Sequence, residues 1–132
     1  MKLLLDTHIW IWMIISPEKL SRAVRRQLDD PKNQLFLSPV SVWEAYHVVQ
    51  RKRIRVLRDS VSEWIGKALT QASLQEAPFN FTVAAQAGQI TLPQSDIGDV
   101  FIAATACAYN LTLVTADAQL PDCSWLKTLS NN

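Results

Sequence analysis

Four acidic residues stand beside otherwise apolar segments: Asp6 after Leu3-Leu-Leu5, Glu44 in Ser41-Val-Trp-Glu44, Asp99 in Asp96-Ile-Gly-Asp99, and Asp117 after Leu111-Thr-Leu-Val-Thr115. Each has a local explanation. Asp6 can cap the helix that follows it, as Thr7 could equally. Ser41 to Glu44 has the spacing of a capping box, in which the glutamate bonds back to the first N–H. Asp96 and Asp99 repeat that spacing, and Asp117 suits a turn. Convergence would change the reading. Acids gathered at one place repel one another and raise each other's pKa unless something positive sits among them. Mg²⁺ takes oxygen ligands, keeps several waters and works with phosphate substrates. One or two such ions can activate a water for in-line attack and stabilise the leaving oxygen. No Ser, Cys or Lys stands in a recognisable activated motif, and the three glycines form no phosphate-cradling loop. Cys107, Cys123, His8 and His47 lack the spacing of a structural zinc site, and Cys107 reads as a small core residue.

The elements around these acids alternate. Lys2 to Asp6 reads as a buried strand closed by an acid, and Ile9 to Ile15 as an apolar helix. Arg22 to Asp29 is an amphipathic helix, Gln34 to Leu37 a second strand, and Ser41 to Gln50 a helix. Ser60-Val-Ser-Glu63 opens a further helix through about Ala72. Thr82 to Gln89 and Asp99 to Asn110 read as helices, Leu111 to Thr115 as a strand, with a last short strand near Ser124 to Leu126. This order predicts an α/β fold: a short, mainly parallel sheet with helices on both faces. Ligands of such sheets lie at the carboxyl ends of the strands. Asp6, Glu44 and Asp117 all follow strands, and Asp99 opens the helix that leads into one.

With 132 residues, 48% hydrophobic and 19% charged, the chain has the composition of one globular domain. The apolar run at Ile9 to Ile15 is too short to span a bilayer and makes a poor signal peptide, so a cytoplasmic protein without a membrane partner is expected. The net charge of +1 hides an asymmetry. Residues 1–66 hold 11 Lys and Arg against 7 Asp and Glu, and residues 67–132 hold 2 against 5. Arg51, Lys52, Arg53 and Arg55, with Arg58, supply much of the excess. That run is either a solvated helix end and loop or a patch that contacts RNA phosphates without reading sequence. The apolar Ile9 to Ile15 segment, with Trp10, Trp12 and Met13, reads mainly as a buried helix, and Trp43, beside Glu44, as core rather than a base-stacking platform.

Leu3-Leu-Leu-Asp-Thr-His-Ile-Trp10, Leu37-Ser-Pro-Val-Ser-Val-Trp-Glu44, Gly98-Asp-Val-Phe-Ile-Ala-Ala-Thr-Ala106 and Leu111-Thr-Leu-Val-Thr-Ala-Asp117 resemble, in order, four blocks of a PIN-domain ribonuclease. The subgroup they resemble is the VapC-type toxin of bacterial toxin–antitoxin pairs. The resemblance implies one Rossmann-like PIN domain over residues 1–132 and a Mg²⁺- or Mn²⁺-dependent endoribonuclease. It makes Asp6, Glu44, Asp99 and Asp117 the acidic ligands and gives Thr7 and Thr115 supporting roles. It further implies a homodimer, held inactive by an antitoxin whose C-terminal segment crosses the groove. The third block departs from the pattern. Many relatives carry a histidine, then Asp-Pro, then Asp-Arg, where this chain reads Pro93-Gln-Ser-Asp-Ile-Gly-Asp-Val100. Asp99 keeps its place, and Asp96 has the spacing of the preceding acid.

Two other readings compete. The chain is a non-catalytic RNA- or protein-binding module using Arg51 to Arg58, with the acids as caps, or a phosphoryl-accepting domain with Asp6 as acceptor.

Overall fold

Three consecutive leucines set the centre of the molecule. The structure, a computed structural model, describes residues 1–51, 61–71, 73–92, 96–118, 120 and 125–132; of residues 49–51 and 71 it describes the backbone alone. Leu3, Leu4 and Leu5 form strand β1 (Lys2–Leu5) and are fully buried. A strand apolar on both faces needs cover on both faces, which parallel sheets with crossover helices provide. Leu3 and Leu5 point into one core with Ile9, Trp10 and Ile11, while Leu4 points into the other with Ile102, Ala103, Ala106 and Leu113.

The elements follow as α1 (Thr7–Ile15), a short 3₁₀ turn, α2 (Arg22–Asp29), β2 (Gln34–Leu37), α3 (Pro39–Arg51), α4 (Val61–Gln71), β3 (Gln75–Glu76), α5 (Phe81–Ala87), α6 (Ile97–Ala108), β4 (Thr112–Thr115) and β5 (Thr128–Ser130). The strand order is β3-β2-β1-β4-β5, with every pairing parallel. The expected α/β architecture is present. Because the chain leaves β1 first to one side and later to the other, the order reverses between β1 and β4. The crevice at a sheet's carboxyl edge opens at such a reversal. In register, Leu5 lies opposite Val114, so Asp6 and Thr115 emerge side by side at that edge.

Several boundaries differ from the sequence reading. Helix α3 begins at Pro39 instead of Ser41. Proline suits the first helical position because its missing N–H would have no partner there. Ser38 does the capping, its hydroxyl accepting from the Val40 N–H at 3.1 Å. The capping box at Ser41 to Glu44 is therefore not formed. Asn80 caps α5, accepting from the Val83 N–H at 3.1 Å. Helix α6 starts at Ile97 with Asp96 as its cap. It ends where Asn110 takes a left-handed φ of 55°, letting the Leu111 N–H reach back to the Ala106 carbonyl at 2.8 Å and turning the chain into β4. The last strand lies at 128–130 rather than 124–126, and β3 is too short to show a periodicity. Ser60, proposed to open α4, and Cys123 lie outside the described residues. Cys107 is half-buried, its thiol facing the Trp125 carbonyl at 3.8 Å. Trp43 is not core: it is 62% exposed, with its ring 4.4 Å from that of His47. Trp10 is fully buried and Trp12 and Met13 partly so, in keeping with a buried α1. Among the described residues no helix is long and apolar enough to cross a membrane.

Leu4→Ala removes a side chain held at the middle of the sheet, so it should cost ~2–5 kcal/mol in denaturant unfolding. A much smaller loss would show that the second core closes over the gap.

Candidate active site

Asp6 leaves β1 and becomes the cap of α1. Its Oδ1 accepts from the Thr7 N–H at 2.8 Å, and its Oδ2 accepts from the Thr115 hydroxyl at 2.8 Å. Capping and site-building are thus the same geometry, and the two alternatives for Asp6 do not exclude each other. Thr115 also uses its oxygen to accept from the Asp117 N–H at 3.0 Å, which fixes the turn carrying that acid.

Glu44 projects from the second turn of α3. Thr7 Oγ1 lies 2.7 Å from Glu44 Oε1 and 2.9 Å from Ser41 Oγ. A threonine has one hydroxyl hydrogen. It serves the carboxylate, the stronger acceptor, and the Ser41 hydrogen is then available for Thr7. Ser41 is fully buried, and sequence reasoning gave it only a capping role. Its contact with Thr7, 34 positions away, has no local signal in the sequence. Asp99 stands in the first turn of α6, where its N–H is held by Asp96 Oδ1 at 2.9 Å.

These residues line one cleft of about 410 Å³. Asp6, Thr7, His8, Glu44, Asp96, Asp99 and Asp117 contribute its polar surface, and Trp12 and Val48 part of its apolar wall. The four predicted acids are brought together, with Asp96 beside them. Thr7 lines the cleft, while Thr115 is fully buried behind Asp6. Among the described residues, no lysine or arginine lines the cleft. A mainly aliphatic cleft of about 380 Å³ near Leu37, Val42 and Leu69 offers no comparable gathering of polar groups. Arg51 closes α3 with its side chain undescribed, and Lys52, Arg53 and Arg55 lie outside the described residues, as does the 93–95 part of the third block.

Crowding is visible in the acid–base behaviour. Burial pushes the Asp6 carboxyl up, and the Asp117 charge adds to this, against the hydrogen bonds from Thr115 and Thr7 and the pull of His8. Burial also raises Glu44, with Asp96 and Asp6 adding repulsion; Thr7 and His47 oppose it. Asp99 is pushed up to about 7 by burial and by the charges of Asp96, Asp6 and Glu44, although a backbone hydrogen bond opposes the shift. Among the described residues no three His, Cys, Asp or Glu side chains are arranged to hold a metal ion by themselves. An open, oxygen-rich, electronegative cleft fits a hard cation of the Mg²⁺ kind, which keeps waters and binds through few carboxylates plus substrate phosphate. Asp6, Glu44, Asp99 and Asp117 are the donors such an ion would meet.

The acids stand at the switch point of a parallel 3-2-1-4-5 sheet. Residues 3–126 match the PIN domain model, and the chain belongs to that family. It is 29% identical over 120 residues to Ribonuclease VapC22 of Mycobacterium tuberculosis (strain ATCC 25618 / H37Rv), covering 89% of this chain and 88% of that one. Its fold is similar to VapBC2 from Rickettsia felis, solved bound to a DNA fragment from its promoter, with a TM-score of 0.73, 18% identity and full coverage of both chains. It is also similar to FitAcB from Neisseria gonorrhoeae, with a TM-score of 0.65 and 23% identity, covering 98% of this chain and 97% of that one.

The raised carboxyls give stability a sign. A folded-state pKa of about 7 at Asp99 against an ordinary 3.8 means the folded chain holds more protons than the unfolded one between those values. Stability then falls as pH rises through that window. In chelator, the melting temperature should drop from pH 5 to pH 8, and Asp99→Asn should flatten the slope. A slope unchanged by Asp99→Asn would place the excess proton elsewhere.

Proposed function

We propose that this protein is a divalent-metal-dependent endoribonuclease, using Mg²⁺ or Mn²⁺, and that it is the toxin of a VapBC-type toxin–antitoxin pair acting in the cytoplasm. The gathering of Asp6, Glu44, Asp99 and Asp117 in one cleft carries the reading. The VapC ribonuclease relative and the VapBC fold neighbours support it and favour an antitoxin partner; a homodimer belongs to the same proposal.

A bound divalent ion lowers the pKa of a coordinated water and offsets charge on the leaving oxygen. The protein's share is to keep carboxylate oxygens in place. Thr115 and the Thr7 peptide hold both oxygens of Asp6, so this side chain cannot turn away from the cleft. The Thr7 hydroxyl holds one oxygen of Glu44. Cations held by these carboxylates would offset the charge that opposes an approaching phosphate backbone. Attack by water at phosphorus with cleavage of the P–O3′ bond, the 3′ oxygen leaving and taking up a proton, would give a 5′-phosphate and a 3′-hydroxyl.

Antitoxin-free protein should cleave a mixed RNA pool with added Mg²⁺ or Mn²⁺ and stop with EDTA. Asp6→Asn should abolish cleavage while keeping the fold. A folded Asp6→Asn protein that still cuts would remove the assignment. Salt-sensitive RNA binding without cleavage by the wild type would favour a binding module. Thr7→Val leaves the acids intact but frees Glu44, and should cost ~10–100-fold in metal affinity or activity, as loss of a ligand's supporting hydrogen bond does. Wild-type kinetics across a metal titration would remove Thr7 from this role.

A further inference from the structure

None of the three glycines has a positive φ, so backbone conformation does not require any of them. Gly66 faces open space, and at Gly88 a Cβ would meet two backbone oxygens at ordinary contact distances of 3.5 and 3.8 Å. Gly98 is different. A Cβ there would collide with Glu44 Oε2, lie 2.9 Å from Glu44 Cδ, and come within 3.3 Å of Asp96 Oδ1. The space that glycine leaves is occupied by the Glu44 carboxyl.

We infer that Gly98 is a positioning residue for Glu44, its missing side chain admitting the carboxyl between α3 and the first turn of α6. This rests on the reading of Glu44 as part of the active site. Glu44 is held from two sides. Thr7 binds Oε1, and the Gly98 gap receives Oε2. Gly98 is also buried, two residues after the cap Asp96 and next to the acid Asp99. The nearest obstacles to a Cβ are side-chain atoms and not the backbone of α3, so close helix packing does not account for the glycine. A glycine early in a helix weakens it relative to alanine. Here the weakness is tolerated where the added methyl group would displace an acid. Because the obstructing atoms end a flexible side chain, Gly98→Ala costs the fold little and moves Glu44 instead.

The test combines activity with a stability cycle on the full, antitoxin-free chain. Gly98→Ala should melt at the wild-type temperature or above it. Its kcat/KM should fall by about 10–100-fold, the scale set by misplacing a reacting group by about 1 Å. In chelator, the rise in melting temperature on Gly98→Ala should be larger in a Glu44→Ala background than in the wild type, because the obstruction is gone. Equal shifts in both backgrounds would overturn the contact, and undiminished cleavage by Gly98→Ala would overturn the positioning role. The cycle reads the contact even if the wild type cleaves no RNA, an outcome that would remove the ribonuclease reading and the catalytic part of this inference together. Cleavage by the wild type with an additive cycle would remove the Gly98 contact alone.

Discussion

The hydrogen bond from Thr115 to Asp6, 2.8 Å long, joins residues 109 positions apart in the chain. It closes the carboxyl edge of the sheet at the point where the strand order reverses. Asp6 can stand there because β1 is buried on both faces and stops at Leu5, and because α1 begins at once and offers its first N–H. Thr115 can meet it because β1 and β4 are parallel and in register at Leu5 and Val114. Remove that register, and Asp6 loses a partner while the turn to Asp117 loses its anchor. The rest of the site is built outward from this pair.

Collecting acids in this way works against the fold. Desolvation and mutual repulsion raise Asp6, Glu44 and Asp99 together, and donor hydrogens answer only part of that cost. Thr7 is central to the compensation. Its peptide hydrogen goes to Asp6 and its hydroxyl hydrogen to Glu44, so one residue bridges the acids of β1 and α3. What the hydroxyls leave unbalanced is negative potential in an open cleft. Under the proposed function, a bound cation would offset that potential and stabilise the fold.

Parts of this arrangement could be read from the residues. Leu3 to Leu5 followed by an acid, and Leu111 to Thr115 followed two residues on by another, specify buried parallel strands ending in carboxylates. Asp6 and Asp117 followed from those runs, and the α/β order from their alternation with helices. Local signals also misled. The spacing of Ser41 and Glu44 matches a capping box, but Pro39 takes the first helical position and Ser38 the cap, which moves Glu44 out of reach of the helix start. Trp43 looked buried beside a site residue, yet neighbours on a helix point about 100° apart, so one can face the cleft and the other solvent.

By itself, then, the sequence determined the elements, the burial of the central strand and the acids that end up together, because apolar runs and breaks in them are local properties of the chain. Only the tertiary structure decided which hydroxyl serves which carboxylate. Ser41 is buried against Thr7, and Gly98 faces Glu44, through contacts between residues 34 and 54 positions apart in the chain. No local pattern encodes such contacts. They arise when α1, α3 and α6 pack against one another, and the space left by a glycine acquires meaning only from what fills it.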